Sequence, residues 1–130
     1  METALVQILE LRPRERVTID SARLDALYRR QGARAAEDFL AERVEQISDR
    51  LADIDWLHRS GLSPEIAVLA RQVSVVAGEV GLVSLARVAA DLAAAVNTGD
   101  WPTYHAIWER LVRIGDESLA GIWETPSLRM

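Results

Sequence analysis

Apolar residues in this sequence return every three or four positions, in one segment after another, and nowhere settle into the every-second-residue alternation of a half-buried strand. Leu40, Val44, Ile47, Leu51 and Ile54 make the longest such run, with Glu42, Glu45, Asp49 and Asp53 between them. That pattern predicts an amphipathic helix from about Ala33 to His58, set off by Gly32 before it and Gly61 after it. An α-helix brings residues three, four and seven apart onto one face, so each apolar stripe must be covered by another helix. The fold class is therefore all-α.

The punctuation between stripes is equally regular. Asp20 is placed to cap a short helix from Ser21 to Gln31, with Leu24 packing back on Ile19 as a hydrophobic staple. Ser63-Pro64-Glu65 opens a third helix: a hydroxyl cap, proline at the first helical position, and an acid facing the positive end of the helix dipole. After a break at Gly81, Leu85, Val88, Ala89, Leu92 and Val96 carry a stripe to Asn97-Thr98-Gly99-Asp100. Asp100 caps a last helix, whose stripe of Tyr104, Ile107, Trp108, Leu111, Ile114 and Leu119 ends before Pro126. Long helices joined by loops of a few residues pack as antiparallel neighbours, so the expected architecture is an up-and-down four-helix bundle with a short additional N-terminal helix. Residues 18–125 form this domain, 126–130 are a C-terminal tail, and 1–17 are an arm that the sequence leaves open between a free segment, an extra packed helix and a dimer contact.

Several functions are disfavoured by what the chain carries. It has no cysteine among its 130 residues, which removes disulfides, zinc-thiolate sites and cysteine nucleophiles. A net charge of −5 disfavours a nucleic-acid partner, and the basic run Arg12-Pro13-Arg14-Glu15-Arg16 is short enough to be a solvated loop. The apolar run near Glu2 is too short to span a bilayer and lacks the basic start of a signal peptide, so the expectation is a cytoplasmic protein without membrane association. Gly78 and Gly81 lie in or at the end of a helix with no Lys-Ser/Thr pair following, so nucleotide hydrolysis is not supported. His58 and His105 have no second ligand beside them in sequence and read as surface histidines; His58 also suits the negative end of its helix. The four tryptophans, Trp56, Trp101, Trp108 and Trp123, read as core or groove packing. No metal or cofactor is expected.

The third helix divides its residues between two stripes. Leu69, Val73, Val76, Ala77 and Val80 form one; Arg71, Ser74, Val75 and Gly78 form the other. Together with the helix that follows, the run LARQVSVVAGEVGLVSLARVAADL resembles the histidine phosphotransfer (Hpt) domains of bacterial phosphorelays. Those domains carry A-H-x-L-K-G-S-A-x-x-x-G on their third long helix, then x-x-x-L-A-x-x-A-x-x-L. Ala70, Ala77, Gly81, Leu85, Ala86, Ala89 and Leu92 match, and Val73 stands for the leucine. Ile19-Asp20 with Leu24 and Leu27, the long second helix and Asn97-Thr98-Gly99-Asp100 extend the resemblance over roughly residues 18–120.

The departures fall at the reactive centre. Arg71 stands where the family has its phosphorylated histidine, Ser74 where it has a lysine, Val75 where it has glycine, and Val76 where it has serine. A guanidinium does not deprotonate near neutral pH and is no practical phosphoryl acceptor. Side chains on a helix lean toward its N-terminus, so Val75 covers the surface beside position 71. The resemblance thus implies a non-enzymatic, Hpt-like module that docks a response-regulator receiver domain or a histidine kinase through Arg71, Ser74, Val75 and Gly78 without carrying phosphate. Two alternatives stand beside it: a structural or dimerising helical bundle unrelated to signalling, and a phosphotransfer protein that uses His58 or His105.

Overall fold

The computed structural model describes residues 17–124, and these form five α-helices and a closing 3-10 turn: α1 (Ser21–Gln31), α2 (Ala33–Ser60), α3 (Glu65–Glu79), α4 (Val83–Thr98), α5 (Trp101–Gly121) and the turn Ile122–Glu124. No strand occurs among the described residues; one antiparallel bridge joins Ile19 to Leu82. The predicted stops are where the chain turns, with positive φ at Gly32, Gly61, Gly81 and Gly99. Both aspartate caps form: the Asp20 carboxylate accepts the Arg23 N–H at 3.1 Å, and the Asp100 carboxylate accepts the Thr103 N–H at 3.2 Å. The Thr103 hydroxyl also donates to Asp100 at 2.7 Å, and these two bonds hold the Asp100 carboxyl below its ordinary pKa. Ser63 Oγ accepts the Glu65 N–H at 3.2 Å at the start of α3. The arm and tail of the sequence reading, with its basic run, lie outside the described residues, except that Val17 already packs half-buried against the core.

A single apolar core runs through the helical bundle. Leu40, Ile47 and Ile54 of α2 are fully buried, while Val44 and Leu51 flank them half-buried. The α3 helix lies against both α2 and α4, and α5 lies against α4. Between α2 and α5 the seam is looser: a groove of about 220 Å³ opens there, lined in part by Leu51, Asp55, Trp108 and Gly115.

The start of the described chain is clamped onto the α3–α4 turn. Asp20 N–H donates to Gly81 O at 2.7 Å, and Thr18 O accepts Val83 N–H at 3.1 Å. Thr18 N–H in turn donates to Ser84 Oγ at 2.7 Å. Gly81 must serve this clamp with a φ of +78° and with the Asp20 carbonyl 2.9 Å from where a Cβ would stand. Left-handed backbone costs a residue with a Cβ about 1–2 kcal/mol, and the contact adds to it. Gly81→Ala is therefore expected to lose about 2–3 kcal/mol in urea denaturation. Gly99→Ala, at φ +70° in open space, should lose only about 1 kcal/mol. Equal losses at the two sites would show that the clamp contributes nothing.

Candidate functional site

Burial of one side of α3 decides what its other side presents. Ile66, Ala67, Ala70, Val73, Val76 and Ala77 face the core. Val68, Arg71 and Val75 are left on the opposite face, separated by three, four and seven positions, so they form a continuous exposed stripe. Val75 is 64 % exposed and Val68 57 %. Arg71 is exposed, and no described residue pairs with its guanidinium. One turn beyond Val75, a Cβ at Gly78 would meet nothing within 4 Å, so the surface there is open.

Ser74 is placed differently. It is half-buried at the α3–α4 junction, and its hydroxyl donates to the Ala86 carbonyl at 2.7 Å. Of the four residues singled out in the sequence, Arg71, Val75 and Gly78 thus share an accessible surface, while the polar group of Ser74 ties two helices together. Beside them Arg50 Nε donates to the Gln72 side-chain oxygen at 2.8 Å, linking α2 to the edge of the stripe.

At the α3 N-terminus the stripe runs into an apolar groove of about 420 Å³, formed by Trp56 and Leu57 of α2 with Val68 and Leu69 of α3, and edged by Asp53 and Glu65. Trp56 is 62 % exposed. Its position was legible: two residues past buried Ile54, it lies about 200° around a helix from the core stripe. The expectation of core or groove packing holds for Trp108 and Trp56 and is corrected for Trp101 and Trp123, which are exposed. Trp108 is buried, Trp56 borders this groove, Trp101 sits edge-on to the Tyr104 ring at 5.8 Å while partly exposed, and Trp123 is exposed in the closing turn.

The expectation that His58 is a surface histidine is corrected. Its ring is half-buried where α2 meets α5, stacked on Trp108 at 4.7 Å, with Nδ1 2.7 Å from the Tyr104 hydroxyl. His105 lies edge-on to it with ring centroids 5.8 Å apart. These neighbours are 46 to 50 positions away in sequence, so no local spacing reveals them. Burial, and then the nearby His105, push the His58 pKa below its ordinary value, against a weaker opposing pull from Asp55. Burial raises the Tyr104 hydroxyl to about 12, which keeps it a donor at neutral pH. With Tyr104 fully buried, the tautomer in which Nδ1 accepts its O–H and Nε2 carries the ring proton is the one that satisfies both groups. No group of three or more His, Cys, Asp or Glu among the described residues is arranged to hold a metal ion.

Two arginines elsewhere form ion pairs, within α2 and across to α3. Arg43 bridges Glu42 and Glu79, both at 3.1 Å, and Arg59 pairs with Asp55 one turn earlier at 3.0 Å. The Arg59–Asp55 pair is exposed and contributes little to stability. Among the described residues no helix is long and apolar enough to cross a membrane. Compared with protein-family models, curated proteins and solved structures, the chain matches none.

Proposed function

We propose that this chain is a non-catalytic, Hpt-like module of bacterial two-component signalling, an up-and-down four-helix bundle with an added N-terminal helix that docks a receiver domain or a histidine kinase in the cytoplasm. The observation that carries the reading is the solvent face of α3. At the position corresponding to the family's phosphohistidine stands an exposed guanidinium with no partner among the described residues, flanked by exposed Val75 and the open surface at Gly78. An arginine so placed complements an acidic pocket such as the one in which a receiver is phosphorylated, through charge-assisted hydrogen bonds. Val75 supplies apolar area at the centre of the contact, where binding energy concentrates. Ser74 takes no direct part, because its hydroxyl is held by Ala86.

Phosphate transfer has no acceptor on this face. His58 is a poor substitute, half-buried with Nδ1 held by Tyr104 and one ring face covered by Trp108. Incubated with a phosphorylated receiver or a kinase and nucleotide, the purified protein should take up no acid-labile phosphate by intact-mass measurement. Uptake that disappears in His58→Gln or His105→Gln would replace this reading with the phosphotransfer alternative. A second reading, a self-associating bundle, is favoured by one observation: exposed Trp56 and Val68 line an apolar groove at the α2–α3 end. Sedimentation equilibrium separates the two, because docking to a receiver requires no dimer.

A further inference from the structure

At one end of the α2–α5 seam a polar contact joins the two helices. Tyr104 is completely buried, and its hydroxyl meets His58 Nδ1 at 2.7 Å. The His58 ring lies over Trp108, which is itself buried, and farther along the seam the helices part around the groove of about 220 Å³. The buried Tyr104 O–H is satisfied here while His58 Nδ1 accepts it.

We propose that His58 is an acid-released latch on the α2–α5 seam: neutral, it accepts the Tyr104 hydroxyl and closes the seam over Trp108; protonated, it lets the seam open. Proton uptake at Nδ1 turns the acceptor into a donor: the phenol oxygen can accept from Nδ1–H, but the buried Tyr104 O–H is then left without an acceptor and a charge enters a half-buried site. Among the described residues, two ionisable groups act on the ring. On α5, His105 adds like charge as it protonates; on α2, Asp55 attracts the imidazolium but is already paired with Arg59 at 3.0 Å. The sign follows from the depressed folded-state pKa. Seam stability is fully present above the ordinary histidine value of about 6.5 and is lost as pH falls toward the lower folded value. Opening exposes Trp108, a buried apolar surface distinct from the α3 face.

The test uses the full chain and reads the seam directly. Amide exchange, corrected for its intrinsic pH dependence, should show protection near Thr103–Trp108 falling by up to tenfold per pH unit within the window, one proton being taken up on opening. Protection of Leu85–Leu92 in α4 should stay constant. His58→Asn offers an oxygen near the Nδ1 position without titrating, and should abolish the acid response while preserving the fold. Tyr104→Phe removes the donor that favours neutral imidazole, and should raise the His58 pKa read by ¹H–¹⁵N NMR; a merely space-filling hydroxyl would leave it unmoved. The latch is overturned by a His58 titration at or above the ordinary value, by an acid response that persists in His58→Asn, or by loss of protection in α4 together with the seam.

Discussion

Leu92→Ala should lower the free energy of unfolding by about 2–5 kcal/mol, because it removes a large side chain from the centre of the core and leaves a cavity that close-packed neighbours cannot fill. Leu92 is fully buried on α4, the helix that packs against both α3 and α5. Leu51→Ala offers the matched comparison. Leu51 follows the same helical stripe as Ile47 and Ile54, yet it is half-buried, lines the α2–α5 groove and lies over Gly115. Its removal enlarges a space already open to water, and the loss should be only about 1 kcal/mol, close to the transfer term alone. Urea unfolding of both variants, at unchanged m-value, measures the difference. Equal losses would mean that the seam is as tightly packed as the core.

The same comparison marks where sequence reasoning succeeds. Helix ends were legible because they depend on local chemistry. Asp20, Ser63 and Asp100 each satisfy an N–H within three residues of themselves, and Gly32, Gly61 and Gly99 turn the chain by their own positive φ. Core faces were legible because a stripe at helical spacing has only one side that can be buried, which is why Leu40, Ile47, Ile54, Leu85 and Leu92 all lie inside. Features that depend on how two helices are set against each other were not. The His58–Tyr104 contact, the Ser74–Ala86 hydrogen bond and the loose α2–α5 seam follow from relative rotation and spacing of helices, to which periodicity is blind. Arg71, Val75 and Gly78 were legible as one accessible face. Ser74 shares their stripe on a helical wheel, but α4 approaches closely enough to claim its hydroxyl.

Val75→Glu should abolish receiver binding, weakening the Kd by about a hundredfold or more, while leaving the fold intact. Val75 is 64 % exposed, so a carboxylate there stays hydrated in the free protein and should alter stability by no more than about 0.5 kcal/mol. In the complex, the same carboxylate faces the acidic pocket that Arg71 is proposed to engage. Like charges brought together across an interface cost several kcal/mol. Arg71→Ala should act more mildly and in a salt-dependent way: it removes an attraction that is screened beyond a Debye length of about 8 Å at physiological ionic strength, so its penalty shrinks as salt rises. Arg71→His by itself should not create a phosphoryl acceptor in working form, since Val75 still leans over position 71. Adding Val75→Gly clears the approach at about 1 kcal/mol of helix stability. Adding Ser74→Lys carries a further loss, because it also breaks the hydrogen bond to Ala86 and forces a long side chain into the α3–α4 junction. Titration calorimetry with an isolated receiver domain, alongside thermal unfolding of each variant, reads both halves of the argument. Full affinity in Val75→Glu would remove the α3 face from the interface, and unfolding caused by that substitution would contradict its exposure.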